Sequence, residues 1–153
     1  MDYGLWTDLE MPVITNLTTR AVLADRAELA TGVLQRMIGL LNRSALGPGQ
    51  ALVFPRCNAI HTCFMRFPID VLFLKTVQGS RLKVQGKVLE PRTLNLEQSI
   101  SGVVVRAVEC LPPFRFAWAA GADTVVELPV GAIARSGTKR GELLEISLRE
   151  ISQ

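Results

Sequence analysis

Apolar residues recur at a helical period in one place along the chain and in short strand-like runs elsewhere. Between residues 26 and 38, Leu29, Val33, Leu34, Met37 and Ile38 fall at i, i+4, i+5, i+8 and i+9, the stripe of one amphipathic helix. Asp25 with Glu28 three residues on has capping-box spacing at its start, and Gly39 supplies a stop. A β-prone stretch precedes it at 18–23. After the Gly47-Pro48-Gly49 turn signal, strands are predicted over 51–54, 60–67, 69–74, 82–89, 102–108, 114–118, 124–128 and 143–148. A short helical turn through Ala134 is expected after Pro129-Val130-Gly131. Many short strands with one helix predict a mainly β fold: a compact β-sandwich or partly closed barrel, with one short helix following the first strand.

With 153 residues and 48% hydrophobic content, the chain can bury one real core. The expected organisation is an N-terminal extension over 1–17, a single β-rich domain over 18–149 and a tail over 150–153. Seventeen Lys and Arg stand against 14 Asp and Glu, and the basic residues are scattered. No run has the density of a basic arm, and no finger or helix-turn-helix spacing is visible, so no nucleic-acid partner is expected. Charges interrupt every apolar stretch long enough to span a bilayer, so no membrane partner is expected either. Three cysteines do not form the even, dense set of a disulfide-stapled secreted domain, and no export signal is readable. Cytoplasmic residence is the expectation. A charged fraction of only 20% leaves room for a homo-oligomer or protein partner.

The densest polar information lies in residues 57–70. On a strand, His61, Cys63 and Met65 would share one face. Cys57, His61 and Cys63 are zinc-type ligands, but a closed site needs a fourth and the remaining cysteine, Cys110, is remote in sequence; no metal and no cofactor are predicted. His61 is the sole histidine. An enzymatic role would pair it with Cys63 or Asp70. Asp70 and Glu127 stand in apolar strands, where a bare carboxylate is costly to desolvate. Asp70 calls for backbone amides or an arginine such as Arg66; Glu127 calls for Arg36 or Arg43. Phosphate-loop, dinucleotide, zinc-protease and nucleophile-elbow patterns are missing from the sequence.

These residues together resemble a known family. Asp25, then Arg36, Gly39-Leu40-Leu41 and Arg43, then Ala51-Leu52-Val53-Phe54, then the run from Phe64 to Phe73, and finally Val126-Glu127-Leu128-Pro129-Val130-Gly131 are similar to DUF192. The resemblance spans about residues 23–146 and implies a compact β-rich fold with no particular activity. Many members carry a tryptophan where this chain has Phe64 and Lys-Asn-Thr where it has Arg66-Phe67-Pro68. The family's signature positions fall on Arg36, Gly39, Arg43, Met65, Asp70, Glu127 and Gly131.

Two logics fit those positions. One is architectural, with helix-end arginines neutralising carboxylates on adjacent strands. The other is a cleft at the helix–sheet junction, where a small polar or anionic ligand meets Arg36 or Arg43, Met65 and His61. The leading expectation is therefore a non-enzymatic small-ligand-binding or accessory domain. Its candidate residues are Arg36, Arg43, His61, Met65, Arg66, Asp70 and Glu127, with Gly39 and Gly131 structural. The alternatives are an oligomeric or protein-interaction module and an enzyme built on His61.

Overall fold

The computed structural model describes residues 11–30, 40–41, 43–77 and 99–148. Ten strands appear among them: β1 (Pro12–Asn16), β2 (Val22–Ala24), β3 (Arg26–Leu29), β4 (Gln50–Pro55), β5 (Ala59–His61), β6 (Ile69–Thr76), β7 (Ser99–Leu111), β8 (Phe116–Trp118), β9 (Thr124–Leu128) and β10 (Leu143–Leu148). A short helix, α1 (Ala132–Ser136), follows β9. Eight strands form one sheet in the order β2-β1-β10-β7-β6-β9-β4-β3, and β5 pairs with β8 alone. The edge strands β2 and β3 are consecutive in the chain, joined through Asp25. The polypeptide itself therefore bridges the two edges, and the sheet is nearly closed into a barrel.

The barrel interior is filled by Ile14, Leu72, Leu74, Val104, Val126, Leu128, Leu144 and Ile146. A second apolar cluster lies on the outer face of the same strands. There Leu52, Phe54, Ile69, Val71, Phe73 and Val125 are covered by Ile60, Met65 and Ala117. β6 and β9 are buried on both faces, which explains why apolar residues fill them on both sides, interrupted within the buried part by Asp70 in β6 and by Glu127 in β9. Each Leu or Phe so enclosed contributes roughly 2–3 kcal/mol.

The mainly β class and the barrel-like closure match the expectation, and the predicted strands over 124–128 and 143–148 coincide with β9 and β10. Three local expectations change. The chain over 12–16, assigned to an extension, is β1 and pairs with both β10 and β2. The helix predicted from Arg26 begins as strand instead. The amides of Asp25 and Arg26 both donate to Gly49 O, at 3.1 and 2.9 Å, and start a parallel ladder with β4. Asp25 is an ion-pair partner of Arg26 and Glu28 of Arg43, so their spacing does not close a capping box. The rest of that predicted helix, 31–39, and the strand predicted over 82–89 lie outside the described residues. No helix among the described residues is long and apolar enough to cross a membrane.

The third change concerns 60–67, where strand ends at His61. Thr62 is fully buried and turns the chain. Its hydroxyl donates to Pro112 O (2.7 Å) and accepts from Arg115 N (2.9 Å), while its carbonyl accepts from Met65 N and Phe114 N. Phe64 then takes φ +65°, a left-handed value uncommon for a bulky side chain. His61, Cys63 and Met65 consequently do not share a strand face: His61 is exposed, Cys63 half-buried and Met65 buried.

Candidate functional site

The two carboxylates of the apolar strands face opposite sides of the sheet. Asp70 lies at the start of β6 on the interior side, fully buried. Its Oδ1 accepts from Cys110 N at 2.9 Å, and its Oδ2 from Gly131 N and Ile133 N at 3.1 and 3.0 Å. Backbone amides, and not an arginine, thus satisfy it. It ties the irregular end of β7, where Cys110 has φ +50°, to the first turn of α1. Gly131, with φ +94°, holds a backbone conformation that a side chain would strain.

Glu127 lies on the outer side, opposite Leu52 of β4 and Val71 of β6. It is 5% exposed, and its Oε2 is buried with no hydrogen-bond partner among the described residues. Burial pushes its carboxyl up to about 7, against a smaller opposing pull from the Arg43 charge. Arg43 does not bond it directly. The Arg43 guanidinium instead binds Glu28 at 2.8 Å in a partly exposed pair.

Of the other residues singled out from sequence, Met65 is part of the outer apolar cluster and Arg66 is exposed beside it in the chain. Arg36 and Gly39 lie outside the described residues. Cys57 is half-buried and donates to Ala59 O, and no cluster of three or more potential metal ligands forms among the described residues. Of the residues expected to line one cleft, Met65 and Glu127 lie on the outer side of the sheet with the Arg43 charge acting on Glu127, Asp70 lies on the interior side, and His61 and Arg66 are exposed.

The structure gathers other residues. Along β8, Ala117 is buried in the outer cluster, while Phe116 and Trp118 are 62% and 57% exposed, with ring centroids 5.6 Å apart. His61 pairs with Phe116 and Ala59 with Trp118 on β5, so these four share the solvent side of the small sheet. Just beyond, Phe64 and Phe114, 75% and 60% exposed, meet edge to face at 5.6 Å.

Beside Trp118 runs a groove of about 680 Å³ between β7, β8 and the chain around α1. Ala107, Ala119 and Ile133 contribute apolar surface, and Arg106, Lys139 and Arg140 bring three cations against the single acid Glu109. Among the described residues none of the three cations forms an ion pair. Arg106 is held in place by its Nη1 donating to Trp118 O at 2.6 Å. Lys139 and Arg140 project from a turn that follows the left-handed Gly137 at the end of α1, where Thr138 N bonds Ile133 O. That turn is fastened by Glu142, whose carboxylate accepts from Lys139 N (2.9 Å) and from Asn16 Nδ2 (2.8 Å). A second hollow, of about 510 Å³ beside β2 and α1, contains Asp25 and Arg26 already paired with each other.

A model of the family DUF192 (Uncharacterized ACR) matches residues 14–146, most of the chain. The chain belongs to DUF192. None of the curated proteins compared matches it. Two crystal structures are similar. One is a protein of unknown function from Novosphingobium aromaticivorans DSM 12444, with a TM-score of 0.60 and 22% identity over 87% of this chain and 81% of that one. The other, from Sinorhizobium meliloti 1021, bears the name "putative transcription regulator", with a TM-score of 0.59 and 20% identity over 90% of this chain and 92% of that one. At these identities the likeness is one of fold. Among the DUF192 signature positions, Asp70 and Gly131 meet in one hydrogen bond and Arg43 acts on Glu127 through space.

Sequence reading missed Arg106, Trp118, Lys139 and Arg140. The available signal was a tryptophan placed on the solvent side of an alternating strand, one residue from a buried alanine.

Proposed function

We propose that this DUF192 protein is a non-enzymatic binding domain that seats a small anionic ligand in the groove between α1 and the sheet. The observation that carries this reading is the convergence of Arg106, Lys139 and Arg140 on one wall system beside the exposed ring of Trp118. The groove is open to solvent and its lining is part apolar and part cationic, so charge is what would hold a ligand there. Among the described residues none of these cations is tied up in an ion pair, and Glu109 is the one acid in the lining, so a net positive charge faces an incoming anion. This reading puts the ligand beside α1, whereas the cleft expected from sequence lay beside the 26–38 stretch, of which 31–38 lie outside the described residues. The commitment of both Asp70 oxygens to backbone amides also favours binding over chemistry, because it removes the carboxylate that would orient His61.

The test is a titration of the full chain with pyrophosphate and with adenosine monophosphate, followed by Trp118 emission in a Trp6→Phe background, since Trp6 and Trp118 are the two tryptophans. Saturable change that weakens in Lys139→Ala/Arg140→Ala supports the reading. A flat response to both anions at low salt overturns it.

A further inference from the structure

Six of the seventeen basic residues come from the segments that build the aromatic surface and its adjoining groove. The segments that contribute the aromatic rings and the cationic wall, 56–68, 106–118 and 138–140, hold Arg56, Arg66, Arg106, Arg115, Lys139 and Arg140, with Glu109 as their one acid. The remainder of the chain holds eleven basic and thirteen acidic residues. The net positive charge of the protein therefore resides entirely in these segments, and all six of their Arg and Lys residues are exposed.

We propose that the solvent side of β5–β8, together with the adjoining groove, is a docking surface for single-stranded nucleic acid. This rests on the anion-binding reading of the groove and extends it along the sheet. Four large rings stand exposed in two pairs: Phe116 with Trp118, tilted by 35°, and Phe64 with Phe114. Exposed rings on a short sheet offer flat faces to unstacked bases, whatever the base, and adjacent cations take the phosphates. The arrangement is built and not incidental. The Thr62 hydroxyl locks the 62–68 turn to the 112–115 elbow, which sets Phe64 against Phe114. Arg115 folds its Nη1 onto Phe114 O at 3.2 Å, and Arg106 onto Trp118 O, so two guanidinium groups are pinned beside the two ring pairs. Charge complementarity selects a polyanion, and the ring faces beside a concave cationic groove select one with planar bases over a lipid surface or a fully stacked duplex.

The experiment is fluorescence anisotropy of a labelled twelve-nucleotide oligothymidylate with the full chain, beside the same length of duplex and anionic phosphatidylglycerol vesicles. The single strand is expected to bind more tightly than duplex, and to weaken by about twenty- to fiftyfold between about 50 and 200 mM salt if three or four phosphates are contacted. Trp118→Ala is expected to cost at least about fivefold, by loss of one stacked base. Lys139→Ala, on an exposed turn that does not threaten folding, should flatten the salt dependence by about one phosphate contact. Oligothymidylate binding no tighter than adenosine monophosphate overturns this inference and leaves the groove reading intact; silence from both overturns the two together. Binding to vesicles without binding to the oligonucleotide, or a concentration-dependent dimer abolished by Trp118→Ala, also overturns it.

Discussion

Asn16 and Glu142, 126 residues apart in the chain, are joined side chain to side chain at 2.8 Å. Asn16 is fully buried and uses all of its capacity: Nδ2 also donates to Thr138 Oγ1, and Oδ1 accepts from Thr18 N and Thr19 N. One side chain thus ends β1, shapes the turn that follows it and anchors the turn that presents Lys139 and Arg140. Asn16→Ala leaves several of these groups without a partner and is expected to cost about 2–4 kcal/mol. It should also weaken pyrophosphate binding, although Asn16 does not line the groove. Urea denaturation and the Trp118 titration check the two effects separately. The same contact, with the Lys139 amide, holds the Glu142 carboxyl below its usual range. Its support of the turn is therefore present at neutral pH and lost as pH falls through that lowered value.

Asp70 makes a different kind of prediction, because its partners are all main-chain amides. Asp70→Ala leaves three backbone donors without their acceptor, that of Ile133 buried and those of Cys110 and Gly131 partly so, and is expected to destabilise the fold by about 2–4 kcal/mol. Asp70→Asn keeps one acceptor oxygen and should cost less, with the loss concentrated at α1 and the end of β7. Amide hydrogen exchange at Cys110, Gly131 and Ile133 in the asparagine variant distinguishes this from a general loosening. Uniform exchange across all strands would contradict the assignment.

Glu127 predicts the opposite sign. Its folded value of about 7 lies above the ordinary 4.5, so the folded state holds the proton more tightly than the unfolded one. The stability this group contributes is complete below about pH 4.5 and is lost as pH rises through 7. Across that window the wild-type protein loses roughly 3–4 kcal/mol of stability, the free-energy equivalent of a carboxyl raised from 4.5 to about 7. Glu127→Gln should remove most of it. Thermal melts of the two proteins are expected to diverge at pH 8, with the variant more stable, and to converge at pH 5. A variant less stable at pH 8 would mean that the charge is wanted where it lies.

How much of this was legible in the sequence depends on where each signal comes from. Residues 124–128 and 143–148 could be read directly, because largely apolar or alternating runs bounded by glycine or proline carry their own boundaries. Arg26–Leu29 could not be. Its helical stripe is a property of neighbours in sequence, whereas its strand is made by a parallel partner, β4, that only the tertiary fold supplies. The run 60–67 misled for a similar reason, since one buried hydroxyl on Thr62 turns it toward a distant elbow. For Asp70, the need for backbone amides or an arginine was visible, but not which of the two or which amides, because backbone amides have no sequence signature. The groove was the least legible element. Arg106, Trp118 and Lys139 come from separate segments, and scatter along the chain concealed a cluster in space.

The Thr62 clamp yields a last prediction that joins fold to surface. Thr62→Val preserves shape and burial while deleting the hydroxyl, so Arg115 N loses its acceptor and Pro112 O its donor. Two backbone groups released in this way cost about 1–3 kcal/mol, a loss the remaining core can absorb. None of the residues hydrogen-bonded to Thr62 belongs to the interior barrel cluster, and its strands should keep their exchange protection. What changes is the elbow: Phe64 and Phe114, each held at a left-handed φ near +60°, relax once the hydroxyl no longer couples their turns. Nuclear Overhauser contacts between the two rings should disappear while those between Phe116 and Trp118 persist, and oligothymidylate affinity should fall without loss of pyrophosphate binding. If both ring pairs and both affinities survive Thr62→Val unchanged, the hydroxyl does not organise this surface, and the two left-handed turns must be held by their own local sequence.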